Sequence, residues 1–251
     1  MWNRLFVIVL GASFILSCVA LWRATVGPSP ERLMETVYSE LSKQPEVVAS
    51  IAVEGMKTIQ KHQEDADLRS KLDKIKSKRQ ELLGDSKSPF SGNPRGDVTI
   101  FSFFDYHCGH CRRVNPVLDK LVATDPNIKI VYKEFPIFGD LTLSKAALAA
   151  HRQGKYKDFY TVLMNSEETL SPESLIEIAR KLRLNVDQFS RDMGSLEIER
   201  QVQETMALAH SLDIAATPTF IVGSNIVPGA LDFEGFRQEI AKERLKNTRG
   251  A

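Results

Sequence analysis

Hydrophobic and polar positions along this chain follow three successive rhythms. From Leu5 to Trp22 no charged residue occurs in 18 positions, and the stretch is bounded by Arg4 and Arg23. Pro28 to about Asp85 is polar, with apolar residues at helical spacing and no strand signal. Leu33, Val37 and Leu41 share one face. Val48, Ile51 and Ile59 follow more loosely, and Pro45 is placed to open a second helix at its first turn. Leu68, Leu72, Ile75, Arg79 and Leu82 recur at spacings of four, three, four and three, a heptad seam with one charged interruption. A seam of about two heptads supports packing within the chain and self-association through a coiled coil equally.

The third rhythm mixes strands with helices. Gly84 to Asp97 is dense in Gly, Pro, Ser, Asn and Asp, which is loop chemistry and a domain boundary. Val98 to Phe104 then predicts a strand buried on both faces. Val114, Val117, Leu118 and Leu121 place a helix over Arg112–Val122, and Ile128–Phe135 predicts a second strand. From 141 to about 212 the pattern is helical, with Ser171-Pro172 as one helix opening. Strand signals return at Thr219–Val222 and Ile226-Val227, and Phe233–Leu245 closes as an amphipathic helix. The expected architecture is α/β: a thioredoxin-type topology over residues 90–250 with a helical insert at about 141–212, preceded by a helical extension at 28–85.

Composition narrows the partners. Lys and Arg total 33 against 32 Asp and Glu, so no electrostatic argument favours nucleic acid. The apolar segment within residues 1–24 is an export or membrane signal, as a cleaved signal peptide, an uncleaved anchor or, from Ile15-Leu16-Ser17-Cys18, a lipoprotein. Each of these places the remaining chain in the periplasm or on the outer face of a membrane, where disulfides persist.

Setting Cys18 aside leaves one pair of cysteines, Cys108 and Cys111, in the sequence Cys108-Gly109-His110-Cys111. Two cysteines at i and i+3 on the first turn of a helix can bridge with little backbone movement, and the unpaired N–H groups there stabilise a thiolate. Cys108 is expected as the exposed nucleophile. With the helix end and His110 beside it, its pKa is expected in the range of about 3.5–7.5. Cys111, one turn inward, is expected to resolve the mixed disulfide. A structural Cys108–Cys111 bridge would close too short a loop to constrain the unfolded chain much. Zinc lacks a second ligand pair, and Arg112 stands where haem attachment would need histidine. No cofactor and no resident metal are expected. Among the histidines, His107 and His110 are placed for chemistry, whereas His62, His151 and His210 lie on helical stretches as ordinary surface or core residues.

Pro218, in Ala216-Thr217-Pro218-Thr219-Phe220, precedes a strand where the chain must reverse beside the cysteines. A cis Thr217–Pro218 peptide is expected there, exposing neighbouring backbone to which an unfolded substrate can add as a short strand.

These residues resemble the DsbA family of bacterial thiol-disulfide oxidoreductases, in particular the branch with an amino-terminal helical extension. The resemblance rests on Gly92–Thr99, Phe103–Tyr106, Tyr132-Lys133-Glu134-Phe135-Pro136 and Pro228-Gly229-Ala230-Leu231, together with the cysteine motif. It implies Cys108 as nucleophile, Cys111 as resolving cysteine and Thr217-Pro218 as the substrate-binding loop. One departure is that many members carry a buried glutamate six residues before the first cysteine, where this chain has Ser102. The acid that assists proton transfer at the inner thiol is therefore unassigned. Gly109-His110 also differs from the Pro-His of the strongest oxidants and is similar to protein disulfide isomerase. The expected partners are unfolded or misoxidised exported proteins, a membrane redox partner that reoxidises or reduces the pair, and a second copy of the chain through residues 28–85. The expected activity is disulfide exchange as an oxidase or an isomerase, with a metal-handling or structural surface protein retaining the fold as the alternative.

Overall fold

The computed structural model describes residues 29–43, 45–84, 87–166 and 169–249, so the apolar amino-terminal segment and Cys18 lie outside the described residues. Among the described residues, no helix is long and apolar enough to cross a membrane. The chain divides into two compact units, 1–66 and 67–251.

The described part of the first unit is helical. Helix α1 spans Pro30–Ser42, with Ser29 as a cap whose side chain accepts from the Arg32 N–H. Helix α2 spans Pro45–Gly84, so the boundary between the units falls inside it. Leu33, Met34, Val37, Tyr38, Leu41, Val48, Ile51, Met56 and Ile59 are all exposed.

The second unit is built on five strands: β1 (Phe90–Gly92), β2 (Val98–Phe104), β3 (Ile128–Glu134), β4 (Thr219–Val222) and β5 (Asn225–Pro228), in the order β1-β3-β2-β4-β5. β2 and β3 run parallel, from Val98 opposite Ile128 to Phe104 opposite Glu134, and the remaining pairs are antiparallel. β1, which pairs Phe90 with Val131, lies in a segment whose turn-forming composition predicts loop alone. Pairing with β3 imposes the strand, because Ser91 and Gly92 leave Phe90 as the one residue of the three with a β preference to show. Between β2 and β3 lies α3 (Gly109–Thr124). Between β3 and β4 come α4 (Thr142–Arg152), α5 (Tyr156–Asn165), α6 (Pro172–Lys181), α7 (Val186–Met193) and α8 (Leu196–Ser211), and α9 (Phe233–Arg249) closes the chain.

Alternation along the strands sorts the core into two faces. Val98, Ile100 and Phe104 of β2 and Ile128, Ile130 and Tyr132 of β3 pack with Cys111, Val114 and Leu118 of α3 and with the inserted helices. Phe101, Phe103, Val131 and Ile221 pack on the other face with Leu208 of α8, with Leu212 just after it, and with Ile75 and Leu82 of α2. The carboxy-terminal part of the heptad seam is thus spent on the sheet, whereas Leu68 remains exposed. The side chain of Arg79, its charged member, lies outside the described part.

Candidate active site

The parallel register ends β2 at Phe104, and the chain turns through Asp105 into α3. Asp105 is buried and acts as a clamp. Its Oδ1 accepts the His107 N–H at 2.7 Å, its Oδ2 accepts the Phe138 N–H at 2.7 Å, and its carbonyl accepts the Cys108 N–H at 3.1 Å. One carboxylate therefore fixes the loop before the cysteines to the loop after β3.

Cys108 is the cap residue of α3, in an extended conformation, and its Sγ accepts the Cys111 N–H at 3.4 Å. The same thiol donates to the Thr217 carbonyl at 3.3 Å. Contrary to the expectation of an exposed nucleophile, Cys108 is only 5% exposed. Capping turns its sulfur back over the first helical turn, and the Thr217 loop covers it from the other side. Cys111 lies one turn deeper at 1% exposure, and both cysteines carry free thiols. Burial first, then the neighbouring Cys108 thiol, pushes the Cys111 thiol well above its ordinary value. A thiolate at this position is costly because the apolar surroundings replace water.

The Thr217–Pro218 peptide is cis. The Pro218 carbonyl accepts the Gly229 N–H at 2.8 Å, joining the loop to the end of β5. Thr217 Oγ1 is buried and faces the Cys111 thiol without a hydrogen bond of ordinary geometry. Cys108, Cys111, Thr217 and Pro218 thus meet at one place, although more than a hundred residues separate the two pairs in sequence.

Each histidine of the motif segment has a charged side chain at its Nδ1. His110 is exposed, and its Nδ1 lies 2.7 Å from Arg113 Nη2; because guanidinium only donates, Nδ1 is the accepting nitrogen. His107 Nδ1 lies 3.3 Å from Asp105 Oδ1. A Cβ at Gly139 would sit 3.3 Å from the His107 ring, so the absence of a side chain there admits the imidazole. Among the described residues, no group of three or more His, Cys, Asp or Glu side chains converges as a metal site.

Sequence patterning missed the other buried acid. Glu134 ends β3 at 2% exposure, and its Oε1 accepts the hydroxyls of Tyr106 at 2.9 Å and Tyr156 at 2.8 Å. Its Oε2 is also buried and faces Ser144 without a hydrogen bond of ordinary geometry. Burial pushes the Glu134 carboxyl up to about 8, against the lowering effect of its hydroxyl partners. The phenols of Tyr106, Tyr156 and Tyr160 are raised by the same desolvation. The available signal was an acidic residue at the end of a largely apolar strand, next to Lys133. Alternation sends Lys133 to the opposite face, where its Nζ lies 3.0 Å from Ser88 Oγ. Ser102 is buried on the Cys111 face and contributes no carboxyl.

Paired thiols at a helix amino terminus, backed by a mixed five-stranded sheet and a cis-proline loop, define a thioredoxin-fold dithiol protein. Residues 99–241 match the model of the DSBA-like thioredoxin domain, and the chain belongs to that family. It is similar to a thioredoxin-like oxidoreductase from Silicibacter pomeroyi, at 38% identity and a TM-score of 0.63, over 66% of this chain and 97% of that one. It is similar to the thiol-disulfide exchange protein alpha-DsbA2 from Wolbachia pipientis, at 27% identity and a TM-score of 0.65, over 70% and 97% of the two chains. Among curated relatives, a probable disulfide bond formation protein D of Bacillus anthracis is 27% identical over 186 residues, 68% of this chain and 85% of that protein. The chain also matches the sodium/proton antiporter NhaA 3 of Salinispora tropica, at 22% identity over 57% of this chain, but spans only 22% of that protein's length.

Proposed function

We propose that this chain catalyses thiol-disulfide exchange in exported proteins, with Cys108 as the attacking sulfur and Cys111 as the resolving one. The observation that carries this is the Cys111 N–H donating to Cys108 Sγ at the start of α3, which stabilises negative charge on that sulfur. In the reducing direction, the Cys108 thiolate attacks a substrate disulfide and Cys111 then displaces the substrate from Cys108. In the oxidising direction, a substrate thiolate attacks Cys108 of the bridged pair and Cys111 leaves. Thr217-Pro218, whose carbonyl already meets Cys108, is the place for an extended substrate segment to pair beside the sulfur. His110 stands at the exposed rim with Arg113, where the two can contact substrate.

The compartment in this reading is the periplasm or the outer face of the membrane, and the pair is returned to its working state by a membrane redox partner. Exposed apolar residues on α1 and the first part of α2 support self-association through residues 28–85, and with it the isomerase direction. Cys111→Ala is expected to trap mixed disulfides on Cys108 in cells, and Cys108→Ala added to it abolishes them. The absence of any trapped species with Cys111→Ala would refute the proposal in favour of a non-enzymatic role. The resting state of the pair in cells separates the directions: fully oxidised excludes a mainly reducing role, and fully reduced excludes the oxidase. Mass in solution with and without residues 28–85 tests the oligomer.

A further inference from the structure

We propose that Arg113 makes the site selective for substrates that carry a carboxylate two residues from the reacting cysteine. This rests on the exchange reaction proposed above and names the chemistry of the segments it favours.

Long side chains on a helix lean toward its amino terminus, so Arg112 and Arg113, early in α3, deliver their guanidinium groups to the level of the cysteine motif. Arg112 Nε donates to the Tyr106 carbonyl at 2.9 Å. Arg113 is exposed, and its Nη2 lies 2.7 Å from His110 Nδ1. Its Nη1 is 3.7 Å from where a Cβ on Gly109 would stand, so the guanidinium folds back over the residue next to Cys108. Because His110 Nδ1 accepts, the contact orients the guanidinium without neutralising its charge. Neither arginine has a carboxylate partner among the described residues.

The nearby acids decide where an anion is favoured. Asp105 is buried with both oxygens on backbone N–H groups. Asp140 lines a cleft of about 200 Å³ together with His107 and Arg112, and its Oδ1 accepts the Thr142 N–H at 2.8 Å. An anion entering that cleft would meet Asp140 as well as Arg112. Over Gly109, Arg113 offers its charge with no paired carboxylate among the described residues, so the favoured position is there.

A substrate cysteine bonded to Cys108 fixes the register of its own segment. In an extended segment alternate side chains share a face, so the residues two before and two after the cysteine point to the same side as its sulfur, about 6–7 Å along the chain. Gly109 adjoins Cys108 and presents no side chain to block the approach. An Asp or Glu at one of those positions can therefore reach the Arg113 N–H groups that His110 leaves free and form a charge-assisted hydrogen bond. A neutral amide there gains less, and a lysine is repelled.

The test follows exchange between the reduced full-length chain and an excess of peptide disulfide homodimers, read by acid trapping. Three peptides carry Glu, Gln or Lys two residues to each side of a single cysteine. Each rate is divided by that of dithiothreitol with the same peptide, which removes the peptide's own reactivity. At low salt the Glu peptide is expected to react about 2–5-fold faster than the Gln peptide, and the Lys peptide slower by a similar factor, the scale of an exposed ion pair. At about 1 M salt, where the screening length is about 3 Å, the spread is expected to collapse. Arg113→Glu is expected to reverse the order of the three peptides, and Arg113→Lys, which keeps the charge, to preserve it. A change in Cys108 reactivity alone scales the three rates together and leaves their order. Equal normalised rates for the wild type with all three peptides, a spread undiminished at 1 M salt, or an Arg113→Glu variant that keeps the wild-type order overturns the selectivity and leaves the exchange reaction standing. A wild type that exchanges with none of the peptides overturns the proposed function and this inference together.

Discussion

Glu134 makes the stability of this fold depend on pH in a direction opposite to that of a paired surface acid. Its folded carboxyl titrates near 8 and an unperturbed one near 4.5, because the folded state would have to bury the charge. Between these values the folded chain holds a proton that the unfolded chain has released. Raising the pH through that window therefore favours unfolding. From pH 5 to pH 9 the loss attributable to Glu134 is about 4 kcal/mol, a large share of a typical domain's stability. Glu134→Gln removes the titration while leaving an oxygen for Tyr106 and Tyr156, at the cost of an amide N–H pair facing Oε2's position. The variant is expected to be less stable than the wild type at pH 5 by about 1–3 kcal/mol, the cost of an unsatisfied buried donor. The difference should shrink and reverse by pH 9. Urea titrations of both proteins at half-unit pH intervals measure this directly. A stability difference that stays constant from pH 5 to pH 9 would refute the claim that Glu134 is buried as a neutral acid.

Three further outcomes follow from packing and charge. Ile75→Ala and Leu82→Ala, which empty sites against the sheet, are each expected to cost about 2–5 kcal/mol, whereas Leu68→Ala on an exposed site changes stability by about 0.5 kcal/mol or less; chemical denaturation distinguishes them. Gly223 has φ +58°, and a Cβ there would overlap Glu243 Cδ at 1.9 Å, so Gly223→Ala is expected to lower stability by about 1–3 kcal/mol, read as a fall in Tm. Arg244 reaches Asp97 with two bonds of 2.8 Å and Asp125 at 2.9 and 3.1 Å. That guanidinium holds the Asp125 carboxyl below its usual 3.8, so its contribution is present above that pH and is lost on further acidification. Arg244→Ala is expected to cost about 1 kcal/mol at pH 7 and much less near pH 2 in acid titrations.

Much of the strand and helix order was legible because buried strands and amphipathic helices impose different periods on apolar residues. Val98–Phe104 reads as a buried strand from its own side chains, and Ser171-Pro172 announces a helix without reference to the rest of the chain. β1 did not, since its pairing with β3 is supplied by another segment. The heptad seam was legible as a seam but not by partner: Ile75 and Leu82 are covered by Phe101, Phe103 and Leu208, residues distant in sequence. His110 read as a neighbour of the thiolate, yet its ring nitrogen is engaged by Arg113.

At the site, the sequence by itself determined the reactive pair and its chemical type, because a helix amino terminus with cysteines three apart is a local construction. The cis bond at Pro218 was readable only in combination with that motif, because an X-Pro bond taken alone is seldom cis. Only the tertiary structure brought the Thr217 carbonyl against Cys108, covered that sulfur, and made Asp105 a clamp between two loops. It alone turned Glu134 into a neutral acid on the Cys111 face. Burial and electrostatics depend on which segments pack around a group, and no residue's own sequence neighbourhood sets that environment.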